Sequence, residues 1–124
     1  MEYFLVTNNP EVEKKYPHLV GYSLEGPVIR VFLKVRDLIH RGHRLLTHPL
    51  SGSLKPGRIP YKTVFLGPKG EGLAFDSLQY IENSIAVYYK TVPPTPIQWT
   101  GPLLADYAAI DLSHVEAALE SLGF

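Results

Sequence analysis

Apolar and polar residues follow two patterns along this chain, and together the patterns predict short strands separated by helices. Short apolar runs rich in β-branched and aromatic residues predict four strands, at 3–6, 18–24, 45–47 and 61–66. Apolar residues spaced as on one helix face predict helices at 10–16, 26–42, 76–92, 101–107 and 113–123. Strands that alternate with helices favour a layered α/β fold.

The helix predicted at 26–42 has the clearest apolar face. Its charged residues fall mostly on the opposite face, and Gly42 is placed to close it in a left-handed conformation. At ~1.5–3 kcal/mol for each buried side chain, this face is a main support of the core. The six apolar positions are Val28, Val31, Phe32, Val35, Leu38 and Ile39.

The later helices carry apparent start signals. Asp76 and Gln79 have capping-box spacing, and Phe75 and Tyr80 are spaced as a hydrophobic staple. Ser113 with Glu116 has the same capping-box spacing, which predicts that the last helix begins there, separate from the helix at 101–107. The buried stripe of the helix at 76–92 is predicted to contain Leu78, Ile81, Ile85, Tyr88 and Tyr89.

The predicted fold is a single α/β domain spanning residues 1–124. We expect a small, mostly parallel sheet of about four strands with helices on both faces, Rossmann- or flavodoxin-like, and a helical C-terminus. In flavodoxin-like order the first and third strands are neighbours, so a ligand crevice is expected between their carboxyl ends.

Two polar loops would line that crevice, the first directly after the strand at 3–6 and the second directly after the strand at 45–47. Their residue types predict a small anionic ligand. Amides, hydroxyls and backbone N–H groups would donate hydrogen bonds, and the basic side chains would add positive charge. The alternatives are that Asn8 and Asn9 only act as helix caps, that His48 only bonds the turn before Pro49, and that the second loop satisfies its own turns. The predicted ligand-binding residues are Asn8, Asn9, His48, Ser51, Gly52, Ser53, Lys55 and Arg58.

Composition narrows the function classes. Twelve basic and twelve acidic side chains give a net charge of zero, which argues against a nucleic-acid partner and a polybasic membrane anchor. No apolar run reaches the ~18 residues that span a bilayer, and the first residues lack a basic signal-peptide region, so we expect a cytoplasmic protein. The chain has no cysteine, which excludes disulfides and thiol chemistry of its own.

No metal site is predicted, because the five histidines lack an H-E-x-x-H pattern or an accompanying carboxylate cluster. The sequence identifies no cofactor, no catalytic residue and no oligomeric state. A nucleophilic triad of Ser51 or Ser53 with His48 and Asp37 lacks the G-x-S-x-G elbow, and Asp37 is predicted to face water.

Four segments resemble the GrdX family of small proteins that are encoded beside the glycine reductase complex of amino-acid-fermenting anaerobic bacteria. They are residues 7–10 with the sequence TNNP, 35–53, 60–62 with PYK, and 110–112 with IDL. The resemblance implies an accessory protein with no assigned catalytic residues. Glycine reductase depends on selenol and thiol chemistry, so a chain without cysteine looks like a helper of the complex.

Three functions remain open from the sequence. The first is an accessory protein that binds a small anion at the predicted crevice. The second is an interaction module that docks on a glycine reductase subunit through exposed aromatic residues, Trp99 among them, and the proline-rich segment 93–102, whose role the sequence leaves open. The third is a hydrolase-type enzyme that uses His48 as a base.

Overall fold

A three-stranded mixed sheet forms the centre of the molecule, in a computed structural model that describes residues 3–52 and 54–124. The strands are β1 (Phe4–Thr7), β2 (Val20–Ser23) and β3 (Thr63–Leu66), in the order β2-β1-β3. Strand β1 is parallel to β2 and antiparallel to β3.

Helices lie on both faces of this sheet because successive strand residues point to opposite sides. Val6, Val64 and Leu66 face one side, and Leu5 and Phe65 face the other. The first set packs against α2 and α3, and the second against α1 and α4. The helices are α1 (Pro10–Lys15), α2 (Val28–His40), α3 (Phe75–Thr91) and α4 (Gly101–Ser121), and a 3₁₀ turn covers Pro56–Arg58.

Helix α2 confirms the strongest helix prediction. All six apolar residues of the predicted face are buried, and they join the larger of two core clusters. Gly42 follows the helix with φ +107°, a left-handed conformation that lets the chain reverse without the steric cost of a Cβ.

Helix α3 corrects several predictions about its start and its buried face. Ala74 stands at the N-cap and makes no side-chain capping bond, so the predicted capping box at Asp76 is wrong. The side chains of Phe75 and Tyr80 are 75% and 49% exposed, so they do not form a buried staple. Tyr89 is 62% exposed and lies outside the buried stripe.

Helix α4 is continuous where the spacing predicted two helices. Its N-cap is Thr100, whose Oγ1 accepts a hydrogen bond from the Leu103 N–H at 3.3 Å. Ser113 therefore lies inside a helix and caps nothing. Continuity places Asp111 in the middle of a buried face, between Ala108 and Val115.

The prediction of a mostly parallel, four-stranded, Rossmann- or flavodoxin-like sheet is wrong. Residues 45–47 form only an isolated bridge, between Leu45 and Leu66, on the edge of β3 away from β1. Since β3 separates this segment from β1, the expected crevice between two neighbouring parallel strands does not exist.

Two local features explain why the observed sheet differs from the predicted one. The described residues between 48 and 62 contain the 3₁₀ turn as their only regular element, and a parallel connection needs a crossover, usually a helix, so β3 returns antiparallel. Side chains also replace ladder partners beside β3. Thr47 Oγ1 accepts from the Phe65 N–H at 3.1 Å, and Ser77 Oγ accepts from the Leu45 N–H at 3.0 Å. The pairing therefore ends after a single bridge.

Within residues 3–52 and 54–124, every helix is too short or too polar to cross a membrane.

Candidate functional site

Lys62 lies where the two polar loops of the sequence prediction come together. Its backbone N–H donates to Asn8 Oδ1 at 2.9 Å, and its Nζ donates to the Ser51 carbonyl oxygen at 2.5 Å. The residue is only 7% exposed and stands just before β3. The loops after β1 and after residues 45–47 therefore meet on opposite sides of one lysine, and not across an open crevice.

A buried carboxylate, Asp111, lies next to this lysine and accepts several hydrogen bonds. Its Oδ1 accepts from the Thr63 N–H at 3.1 Å, and its Oδ2 accepts from Thr63 Oγ1 at 2.7 Å and Asn9 Nδ2 at 3.0 Å. Since a carboxylate only accepts, the Thr63 hydroxyl proton points to Asp111. The Thr7 hydroxyl then donates to Thr63 Oγ1 at 2.7 Å and accepts from the Asn9 N–H at 3.0 Å.

The ammonium group of Lys62 is much less well satisfied than this carboxylate. Within the part of the chain that the structure describes, no carboxylate oxygen approaches its Nζ within 4.0 Å, and its acceptor is a neutral carbonyl. Burial lowers the pKa of Lys62 below its ordinary value of 10.5, and the charge of Asp111 opposes that shift only in part.

Two small voids flank Lys62 beneath the loop at Ser51. Their volumes are about 20 and 10 Å³, and both are lined by Lys62, Asp111 and His114. Gly52 lies against the His114 ring, so that a Cβ on Gly52 would stand 2.7 Å from His114 Cε1. Each void has room for about one water molecule.

The two predicted asparagines serve the fold. Asn8 Nδ2 donates to the carbonyls of Gly26 and Pro60 at 2.9 and 2.8 Å, which holds together the segments that follow β1 and precede β3. Asn9 Oδ1 accepts from the Glu11 N–H at 3.0 Å and caps α1, while its Nδ2 also donates to the Ala108 carbonyl at 3.0 Å. Their amide groups are thus occupied by protein partners.

His48 faces a different cleft from Lys62. It is exposed, its ring centroid lies 5.0 Å from that of Tyr80, and the cleft of about 540 Å³ also contains Arg44 and Ser77. Its Nδ1 accepts from the Leu50 N–H at 3.0 Å. In the neutral ring the proton therefore sits on Nε2.

The remaining predicted residues lie on the surface of the second loop. Ser51, Gly52, Lys55 and Arg58 are exposed; Lys55 directly precedes the 3₁₀ turn, and Arg58 is its last residue. Ser53 lies outside the described residues. The structure thus brings Ser51 and Gly52 over Lys62, while His48 points into another cleft.

No group of three histidine, aspartate or glutamate side chains converges as metal ligands anywhere in the described ranges 3–52 and 54–124.

An apolar groove of about 430 Å³ runs along the proline-rich segment. Trp99 lines it and stands edge-on to Tyr107, with ring centroids 5.5 Å apart. Apart from glycines, its other lining residues are Pro27, Ile59, Pro60, Tyr61, Tyr88, Val92, Pro93, Pro96, Ile97 and Leu104.

A second hollow, of about 510 Å³, continues from this groove. The two share Gly26 and Tyr61, and the second contains the exposed carboxylates Glu13 and Glu25. We call the pair the Trp99 groove and the acidic hollow. An apolar surface therefore passes directly into a negatively charged one.

A family model described as "GrdX-like protein" matches residues 4–120, nearly the whole chain. The chain belongs to the GrdX-like family. The match confirms the resemblance seen in the sequence, and it includes Lys62, Asp111 and the Trp99 groove. Neither the curated proteins nor the solved structures gave a match to this chain.

Lys62 and Asp111 were not selected as site residues from the sequence, although both lie in segments that carried the family resemblance. Each carries a signal in hindsight. Ala108, Asp111 and Val115 are spaced as on one face of a helix, so one continuous helix would place the Asp111 carboxylate on an apolar face. Lys62 interrupts the apolar run that leads into β3.

Proposed function

We propose that this GrdX-like protein is a docking module that holds a proline-containing segment of a partner protein, with a basic residue at one end. The observation that carries the proposal is the continuity of the Trp99 groove with the acidic hollow at Gly26 and Tyr61.

The lining of the groove favours an extended apolar segment. Three aromatic side chains, Tyr61, Tyr88 and Trp99, contribute to it, and Val92 is 42% exposed at its side. Aromatic-lined grooves receive polyproline segments well, because such segments are already extended and lose little conformational entropy on binding.

The acidic hollow favours a basic residue next to that segment. Glu13 accepts a hydrogen bond from Ser23 Oγ at 2.7 Å, which holds its carboxylate in place at the hollow. Neither salt bridge found among the described residues involves Glu13 or Glu25, so both charges face solvent. Charge complementarity of this kind raises the association rate and sets the direction of the bound segment.

The family resemblance makes a glycine reductase subunit the first partner to test. A helper without cysteine would contribute to such a complex by contact and not by thiol chemistry.

Fluorescence offers a direct test, because Trp99 is the only tryptophan of the chain. The probe is a synthetic peptide of alternating leucine and proline residues with an arginine at one end. We expect a saturable change in Trp99 emission, and weaker binding when a glutamate replaces that arginine. Equal affinity for both peptides, or no change with either, would contradict the proposal.

Two pairs of variants locate the contact. Val92→Asp places a charge in the groove and should abolish binding, whereas Phe75→Asp changes an exposed residue that lines the His48 cleft and should not. Glu25→Lys should weaken binding of the arginine peptide, whereas Glu71→Lys, at an exposed turn, should not. The same variants then apply to co-purification with a glycine reductase subunit.

A further inference from the structure

We propose that Lys62 is the cationic anchor of a small-oxyanion site beneath Ser51 and Gly52, where a carboxylate or phosphate replaces the Ser51 carbonyl on the lysine Nζ. The proposal does not rest on the docking function, and the void that Ser51 and Lys62 line shares no lining residue with the Trp99 groove. It keeps the anionic ligand class that the two polar loops suggested, but it assigns the positive charge to a different residue.

The charge balance around Lys62 is the first argument. A buried cation is costly unless an anion pairs with it, and burial here is nearly complete. Asp111 is near enough to affect Lys62 electrostatically, but its oxygens are bonded to Thr63 and Asn9, and no described carboxylate forms an ion pair with Nζ. An oxyanion would supply the missing partner.

The surroundings of Nζ are the second argument. Thr47, Thr63, Asp111 and His114 line the void of about 20 Å³ beside Lys62. The Thr63 hydroxyl already donates to Asp111, so the Thr47 hydroxyl and the His114 imidazole are the groups that can donate to an oxyanion beside the ammonium. The void itself holds no more than about one water, so the bound anion takes the space that the Ser51 carbonyl occupies.

The cover of the site is the third argument. Ser51 and Gly52 are exposed, so their displacement uncovers little apolar surface. Gly52 has φ +97° and touches the His114 ring, a conformation and a contact that a side chain at this position would disturb. The backbone can therefore rearrange more easily at Gly52 than it could at a residue with a side chain.

The test is thermal unfolding in phosphate and, separately, in acetate, each compared with chloride at equal ionic strength. A ligand that binds only the folded state raises the melting temperature as its concentration rises. We expect such a rise for the unmodified protein in at least one of the two salts, and the salt that gives it identifies the ligand as phosphate-like or carboxylate-like.

Variants assign the response to Lys62. Lys62→Met should abolish the rise, and Lys62→Gln should do so too, although glutamine can still donate to the Ser51 carbonyl. If the methionine variant does not fold, the glutamine variant decides. The matched control is Lys69→Met, an exposed lysine in the loop after β3, which should retain the full rise. No rise in the unmodified protein, or an undiminished rise without Lys62, would overturn the proposal.

Discussion

Asp111 and Lys62 are both charged, both buried and close to each other, yet they differ in how completely the protein satisfies their hydrogen bonds. The Asp111 carboxylate accepts hydrogen bonds from Thr63 and Asn9 and ties α4 to β3 and to the start of α1. The Lys62 ammonium donates to a single neutral carbonyl within the described part of the chain. One group is fully paired by the protein, and the other is not.

The difference separates a structural role from a ligand-binding one. A buried charge with complete pairing fixes the arrangement of the elements that pair it, and removing it leaves donors without acceptors. A buried charge with incomplete pairing reduces stability, so its presence needs another explanation. Removing Asp111 and removing Lys62 should therefore change stability in opposite directions.

The largest expected effect is the loss of Asp111. Asp111→Ala should lower the free energy of unfolding by ~3–5 kcal/mol, because Asn9 Nδ2 and the Thr63 N–H and hydroxyl would lose their acceptor while buried. Urea unfolding measures it. Asp106→Ala, at an exposed position of the same helix, is the control and should change little. Equal effects of the two substitutions would refute the structural role.

Asn9→Ala should have the next largest effect, a loss of about 2 kcal/mol. The substitution removes the cap of α1 and one donor to Asp111. Denaturant unfolding gives the number, and the phosphate and acetate titrations give a second readout. We expect Asn9→Ala to be less stable but to show the same rise in melting temperature with phosphate or acetate as the unmodified protein. Loss of that rise would mean that Asn9 contributes to ligand binding.

Lys62→Met should act in the other direction and raise the free energy of unfolding by ~1–2 kcal/mol when no oxyanion is present. The methionine side chain fills similar space without a charge, and the lost bond to the Ser51 carbonyl offsets only part of the gain. Unfolding in an oxyanion-free buffer tests this. A clearly less stable variant would mean that Lys62 holds the loop for the fold.

The smallest effect is a change of that stability difference with pH. The folded-state pKa of Lys62 is lowered, so between that pKa and 10.5 the unfolded chain binds more protons than the folded one. The free energy of unfolding of the unmodified protein, relative to that of Lys62→Met, should therefore rise with pH in this window. Below the folded-state pKa, the unmodified protein should show its full loss of stability relative to the variant. A difference that stays constant up to pH 10.5 would contradict the lowered pKa.

Local periodicity predicted some elements well. The six buried residues of α2 lie on one uninterrupted helical face, so helix position and packing follow from spacing alone. The helix cap at Asn9 is equally local, because an asparagine before Pro10 satisfies the first turn whatever the rest of the chain does.

Features that depend on distant pairing were not predicted. The direction of β3 is set by a loop without a crossover helix, and a run of apolar residues carries no information about that direction. Asp111 meets Thr63 across 48 positions of sequence, so no local spacing links the two residues. The wrong division of α4 also concealed that Asp111 lies on its buried face.

The most direct test of the different roles of Lys62 and Asp111 compares the urea unfolding of Lys62→Met and Asp111→Asn under one set of conditions, in a buffer without phosphate or carboxylate. We expect the methionine variant to unfold at a higher urea concentration than the unmodified protein and the asparagine variant at a lower one. If both variants unfold at lower urea concentrations, the two buried charges have the same structural role, and the distinction between them is wrong.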